Sequence, residues 1–210
     1  MKPDFSFEKN LWDSGYLVIG ADEVGRGAFA GPVVTAAVVF PKNFVIKDKR
    51  LSEINDSKLL SAQKREMLAK LIKEHALFYE IVSVNVGIIN RVGIGKATHM
   101  AFRKAVKDIC KNNTSCYLLI DGFYVKYVKT LGLKKQKAII KGDRKSISIA
   151  AASIIAKVYR DDLMRKLHKK HPQYQFGENK GYGTKEHRNA LKTYGLCPLH
   201  RTSFSLNKFC

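Results

Sequence analysis

Apolar residues along this chain gather into short runs and periodic stripes. Leu17 to Gly20 and Val33 to Phe40 are Val-rich runs bounded by Gly and Pro, the pattern of buried strands. Ser61 is placed to cap a helix in which Met67, Leu68, Leu71 and Ile72 recur at helical spacing. Leu77 to Val86 alternates and predicts another strand. From Ile94 to Ile109, the residues Ile94, Ala97, Ala101, Phe102, Val106 and Ile109 share one helical face, with lysines on the other. Tyr117 to Ile120 is a short strand that ends at Asp121. Ser146 to Leu167 is the longest predicted helix, and Thr184 to Tyr194 a shorter one. Strands that mingle with helices predict an α/β or α+β core on a mixed sheet. No repeat or Pro/Gly/Ser-rich linker divides the chain, so residues 1–210 are expected to form one domain, enough to bury a substantial core.

Charge changes this picture from a fold to a partner. The chain has 38 Lys and Arg against 18 Asp and Glu, a net +20. A field of that sign favours nucleic acid over acidic proteins, although a basic surface also serves solubility alone. No stretch approaches the roughly 20 uninterrupted apolar residues of a membrane-spanning helix. Lys2, Asp4, Glu8 and Lys9 interrupt the first ten residues, unlike a secretory signal. A cytoplasmic protein without a membrane partner is expected. Cys110, Cys116, Cys197 and Cys210 show no zinc spacing and are expected to be reduced thiols.

Acids are scarce, which makes their placement informative. Asp22 and Glu23 directly follow the strand Leu17 to Gly20, Asp121 ends the strand Tyr117 to Ile120, and Asp143 precedes the long helix. Strand ends converge at one edge of a sheet, so these carboxylates are expected to share a site. Side chains alternate along a strand, so Asp22 and Glu23 face one point only where the strand ends or bulges, a freedom that Gly20 and Gly25 supply. Clustered carboxylates repel one another, and an all-oxygen set suits Mg²⁺ or Mn²⁺. Such ions clamp the attacking and leaving oxygens of a phosphodiester. Taken singly, Asp143 is also a plausible helix cap and Asp121-Gly122 a plain turn. Gly25-Arg26-Gly27 is an unhindered loop that lets backbone approach a ligand, with Arg26 as a phosphate fork; most such tripeptides are turns.

The motifs together are more specific. Asp22-Glu23-Val24-Gly25-Arg26-Gly27, continuing through Ala30-Gly31-Pro32-Val33-Val34, resembles the opening signature of the type II ribonucleases H, which cut RNA in RNA–DNA hybrids. The resemblance continues through Asp56-Ser57-Lys58, Leu119-Ile120-Asp121-Gly122 and Lys141-Gly142-Asp143. It resumes at Ala151 to Val158 with Arg160-Asp161, then Gly181 to His187, and ends at His200 to Phe204, nearly the whole chain. It implies a ribonuclease-H-like mixed sheet flanked by helices, with a helical C-terminal portion. It implies that Asp22, Glu23, Asp121 and Asp143 hold two Mg²⁺ or Mn²⁺ ions and cut to leave 5′-phosphates. It further implies that the backbone of Gly25, Arg26 and Gly27 senses the 2′-hydroxyl, and that Tyr182 stacks on the deoxyribose after an RNA–DNA junction. The implied substrates are RNA–DNA hybrid and duplex DNA carrying single ribonucleotides, acted on by a monomer.

The residues accord with these roles. The 2′-hydroxyl is what separates RNA from DNA, and Tyr182, flanked by Gly181 and Gly183, suits a surface ring better than a packed one. Lys58, Lys157, Lys180, Lys185 and Arg201 are candidate phosphate contacts or simply solvated charges. Ser153 and Lys157 stand at i and i+4 on the long helix and share a face. His187 and His200 are candidate proton carriers, but histidines of this kind are more often packed or surface residues, and neither is assigned a role. Ala28 stands where many family members carry proline, and Asn90 and Gly93 depart from the family pattern before a helix, which bears on capping. The type III relatives usually carry an extra N-terminal substrate domain, for which Met1 to Tyr16 is too short. A basic binding protein without activity gives no reason for four carboxylates at one site.

Overall fold

The Val-rich runs pair side by side, and helices cover both faces of the sheet they form. The computed structural model describes residues 2–111, 115–129 and 131–209, so Cys210 lies outside the described residues. Its elements are α1 (Ser6–Asp13), β1 (Leu17–Val24), β2 (Val33–Val39), α2 (Ala62–His75), β3 (Phe78–Val84), α3 (Val86–Val92), α4 (Ile94–Cys110), β4 (Cys116–Asp121), β5 (Gln136–Ile139), α5 (Ile147–Lys170), α6 (Phe176–Asn179) and α7 (Lys185–Tyr194). The strand order is β3-β2-β1-β4-β5. The meander β1-β2-β3 is antiparallel, whereas β4 and β5 join in parallel, which makes the sheet mixed as expected. Cys110, Cys116 and Cys197 are reduced thiols. Among the described residues no helix is long and apolar enough to cross a membrane.

Alternation along β1 assigns its residues to two cores. Val18 packs with α5 and α2 on one face, with Leu68, Ile72, Leu119 and Ile149. Ile19 and Ala21 pack on the other face with α4, against Ala97, Ala101, Phe102 and Val106. The lysine-free stripe of α4 is thus its buried face. Gly20 has a different purpose from the one expected. A Cβ there would overlap the Ser148 backbone and lie 2.5 Å from Ile149 N, so Gly20 admits α5 directly onto β1. Ala150, Ala151 and Ala152 continue that close approach, all fully buried.

Helix starts follow side-chain chemistry. Ser61 Oγ accepts from Lys64 N, Ser146 Oγ from Ile149 N and Thr184 Oγ1 from His187 N, each at 3.3 Å. Between α3 and α4, Gly93 at φ +80° makes the corner, and α4 begins without a side-chain cap. Several elements escape the hydrophobic pattern. α1 buries only Glu8 and Trp12 of its residues, β5 is short and lysine-flanked, and α3 takes Val86, which the alternation assigns to β3. Glu8 explains where α1 docks: its Oε1 accepts from Ser146 Oγ at 2.5 Å and Ser148 N at 3.0 Å, at the start of α5. The helical C-terminal portion has its own cluster, in which Tyr174, Phe176, Ala190 and Leu191 pack on Ala30 and Met164.

Candidate active site

The expected strand-end acids meet at the edge of the sheet where β1 and β4 end. A cavity of about 410 Å³ opens there, lined by Asp22, Glu23, Asp121 and Asp143, by Gly25, Arg26 and Gly27, and by Ser57, Lys58, Ser153, Lys157 and Tyr182. The four acids, the Gly25 to Gly27 loop, Lys58, Ser153, Lys157 and Tyr182, all expected from the sequence, therefore border one space, whereas the other candidate phosphate contacts, Lys180, Lys185 and Arg201, do not line it. A larger cleft of about 670 Å³ lies between α1 and residues 43–54, lined mainly by apolar side chains such as Phe44, Val45 and Ile46. It lacks the convergence of acids.

Register places the carboxylates. Ala21 pairs with Ile120 in the parallel ladder, so Asp22 and Asp121 follow as neighbours on the α5 side of the sheet. Both acids lie within their strands, since β1 runs to Val24, and no bulge turns Glu23: Asp22, Glu23 and Val24 pair in unbroken register with Ala36, Thr35 and Val34. Glu23 points to the α4 side. It borders the cavity because β4 stops at Asp121, one position earlier, and leaves the end of β1 uncovered. Gly142 brings in the fourth acid. Its N–H donates to Asp121 Oδ1 at 2.7 Å, and a Cβ there would lie 2.7 Å from Ile149 Cδ1. Asp143 follows, buried, in a short 3₁₀ turn (Gly142–Arg144). It does not cap α5, because Ser146 does. The Asp121-Gly122 pair is a turn as well as a site, with Phe123 N donating to Asp121 O at 3.0 Å.

Mutual repulsion marks the acids. Burial, then Glu23 and Asp121, holds the Asp22 carboxyl well above the usual range, against a hydrogen bond from Ser153. Burial and Asp121 push Glu23 up to about 7, despite Arg26 at 3.8 Å. Burial, Asp56 and Asp121 raise Asp143. Among the described residues no three such side chains close into a finished metal cage. The four carboxylates nevertheless offer all-oxygen donors whose costly ionisation a divalent ion would relieve.

The surrounding residues hold the acids in place. Ser57 and Ser153 hydroxyls share a 3.0 Å hydrogen bond, so Ser153 reaches both Asp22 and the 57–59 turn. Lys157 donates to Asp161 Oδ1 at 2.7 Å, and burial lowers its affinity for its proton. Asp56, quoted within a motif but given no role, is buried and accepts from Lys58 N at 2.9 Å and from both Arg144 Nε and Nη2. Its carboxyl stays below the usual range because these donors outweigh burial.

Two buried arginines carry the glycine loop, and the sequence reading missed one and misplaced the other. Arg160 donates to Pro32 O, Lys180 O and Ala30 O. Gly25, at φ +88°, lies so close that a Cβ would sit 2.6 Å from the Arg160 Cζ. Gly27 has open space instead. Arg201, proposed from sequence as a phosphate contact, is fully buried and donates to Gly31 O at 3.0 and 2.8 Å and to Arg26 O at 2.9 Å. Burial and Arg160 push its guanidinium down to about 9. A signal existed for Arg160: it stands four residues from buried Ala156 and from buried Met164, on an inward face. The Tyr182 ring rests 5.4 Å from the Arg160 guanidinium and stays 37% exposed at the cavity rim. Lys185 is exposed, whereas the Lys180 ammonium bonds back to Gly177 O. His187 and His200 form a buried Nε2···Nε2 pair at 3.0 Å, with His200 pushed down to about 4 by burial. Neither lines the cavity, but His187 Nδ1 lies 2.9 Å from Tyr182 O, so the pair braces the segment that carries Tyr182.

The family model of ribonuclease HII matches residues 19–207. The chain is 48% identical over 199 residues to ribonuclease HII of Caldanaerobacter subterraneus subsp. tengcongensis, covering 94% of this chain and 78% of that protein. It is equally 48% identical to ribonuclease HII of Endomicrobium trichonymphae, covering 96% and 91%. The crystal structure of ribonuclease H2 from Pyrococcus horikoshii superposes with a TM-score of 0.70 at 27% identity, covering 91% of this chain and 96% of that one. The ribonuclease-H-like fold and the acid-lined strand ends thus agree with an independent match over nearly the whole chain, which belongs to the ribonuclease HII family and is a ribonuclease H.

Proposed function

We propose that the chain hydrolyses the RNA strand of RNA–DNA hybrids, including single ribonucleotides embedded in duplex DNA, and leaves 5′-phosphate ends. The observation that carries this reading is the convergence of Asp22, Glu23, Asp121 and Asp143 at one cavity of a protein with net charge +20. A phosphate-binding surface alone gains nothing from four acids that repel the ligand. These four residues would hold two Mg²⁺ or Mn²⁺ ions, which supply an activated water and stabilise the charge of the phosphodiester displacement.

The remaining work falls to the chain. Ser153 fixes the Asp22 carboxylate, and Gly142 N–H fixes that of Asp121. The backbone of Gly25, Arg26 and Gly27, held from beneath by Arg160 and Arg201, faces the ribose and reads its 2′-hydroxyl. Lys58 and Lys157 attract the phosphates at the rim, and Arg26 offers a fork to one of them. Tyr182, backed by a buried guanidinium, presents its ring to the deoxyribose that follows. The protein acts as a monomer in the cytoplasm.

The test is incubation with a duplex bearing one ribonucleotide, with Mg²⁺, with Mn²⁺ and with chelator. Metal-dependent scission at the ribonucleotide is expected. Asp22→Asn should abolish it while binding persists or tightens, because a negative charge leaves the cavity. Near-normal turnover in that variant would falsify the assignment.

A further inference from the structure

The segment leaving Asp121 carries a surface that cleavage at the pocket does not use. From Gly122 to Gly142 the chain contains Lys126, Lys129, Lys134, Lys135, Lys137 and Lys141 and no acid. Its first part is anchored: Val125, Val128 and Leu131 are buried. Gln136, also buried, clamps it, accepting from Val125 N at 3.0 Å and donating to Val125 O at 2.9 Å. The residues between the anchors point outward. Tyr124 is 50% exposed and Tyr127 82% exposed, with Lys126 and Lys129 exposed beside them. Tyr127 is held at φ +62°, a left-handed conformation unfavourable for a bulky side chain. The anchors on either side impose that conformation, and it aims the ring into solvent.

We propose that Tyr124, Lys126, Tyr127 and Lys129 form a platform for the sugar–phosphate backbone of the substrate duplex, on one arm only. This inference rests on reading the carboxylate pocket as the cleavage site. Three observations select the occupant. Lysines without an intervening acid match a polyanion and oppose an acidic pocket's own repulsion of it. Exposed rings flanked by lysines suit a chain that alternates sugars with phosphates. The platform is continuous with the site: Phe123 follows the Asp121-Gly122 turn, and the Arg26 guanidinium of the glycine loop lies 5.2 Å over the Phe123 ring. Direction follows from the sheet order. Tyr182 and Arg160 accompany the connection from β1 to β2, whereas the platform leaves β4, on the opposite side of β1. A duplex crossing the pocket therefore meets Tyr182 on one arm and the platform on the other.

The experiment measures affinity of the full-length protein in chelator, by fluorescence anisotropy, for duplexes with one ribonucleotide. A short duplex, cross-linked at its ends, has flanks of about 2 bp, which at about 3.4 Å per step keeps it off Tyr124, three residues and at most roughly 10 Å of chain from Asp121; two others extend one arm or the other by about one helical turn, ~10 bp. Lys126→Ala with Lys129→Ala should weaken binding about tenfold, for one extended duplex only. The slope of log affinity against log salt should fall by about 1.8 for two phosphate contacts. Tyr124→Ala with Tyr127→Ala should weaken the same duplex by a similar factor with the slope unchanged, and the two Tyr→Phe changes should restore it. Affinity for the short duplex should match wild type in every variant, which also reports intact folding. Equal affinities for all duplexes, or an equal loss on the short one, would overturn the platform. Wild-type cleavage of the short duplex in Mg²⁺ or Mn²⁺ tests the pocket separately. If that cleavage fails while the one-arm effect remains, the cleavage reading falls and the platform stands.

Discussion

Arg201 offers a sharp test, because two opposite roles predict opposite measurements. As a surface phosphate ligand it would tolerate Lys and lose affinity as Met. As the buried support seen here, it should tolerate Met better than Lys. The magnitudes decide this order. Burial and Arg160 push its guanidinium down from the ordinary arginine range to about 9, and at about 1.4 kcal/mol per pH unit holding the charge there costs roughly 5 kcal/mol. Three hydrogen bonds to Gly31 O and Arg26 O offset that cost, each about 1.5–3 kcal/mol for a charged donor. Arg201→Met gives up all three but also relieves the buried charge, a net loss of about 2 kcal/mol, within the range of these terms. Arg201→Lys keeps the charge and cannot reproduce the planar fork, so it loses two bonds without relief, about 4 kcal/mol. For a chain of this length each kcal/mol moves Tm by about 2–4 °C. Melting by circular dichroism should show a fall of about 4–8 °C for Met and about 8–16 °C for Lys. Both variants should cut hybrid poorly, since the Gly25 to Gly31 segment loses its support, with the salt dependence of binding unchanged. A Lys variant that melts at the wild-type temperature, combined with a salt slope lower by about 0.9 in the Met variant, would refute the buried-support argument.

Other consequences follow from the same geometry. Glu23 has a folded value of about 7 against 4.5, so the folded chain holds this proton more tightly and stability falls as pH rises from about 4.5 through about 7. In chelator the loss by pH 7 is about 3 kcal/mol; urea titrations of Glu23→Gln should show it removed at pH 7 and absent near pH 4.5, and parallel curves for both proteins would contradict the buried-carboxyl account. Gly20→Ala should cost about 3 kcal/mol, at the upper end for overpacking because backbone of α5 is in the way; an unchanged denaturation midpoint would mean that the helix yields freely. Tyr182→Ala should lower cleavage of a single embedded ribonucleotide about tenfold, or about 1.4 kcal/mol, and cleavage of long uniform hybrid less, with Tyr182→Phe as the control that keeps the ring. Equal losses on both substrates would leave Tyr182 as a rim residue without a junction role.

Much of this protein is written in local pattern. Val-rich runs bounded by Gly and Pro mark β1 and β2, and the lysine-free stripe of α4 marks its buried face, because burial on a strand or helix has a fixed period. The motif positions Asp22, Glu23, Asp121 and Asp143 are legible for the same reason: acids beside apolar strands are costly and therefore conspicuous. Elements whose burial is not periodic stay hidden, as with α1, which docks through Glu8, and β5, which is short and lysine-flanked. Strand ends foretell that the acids meet, but how Glu23 joins them is beyond local pattern. Alternation alone sends Asp22 and Glu23 to opposite faces, and only the early end of β4 lets both border one cavity. Arg201 shows the same limit more sharply than Arg160, since outside a periodic helix a guanidinium in sequence looks like a surface charge. Whether it meets phosphate or carbonyl oxygen depends on which distant segments fold over it, and for Arg201 those are Arg26 and Gly31, which are brought there only by the packing of the whole chain.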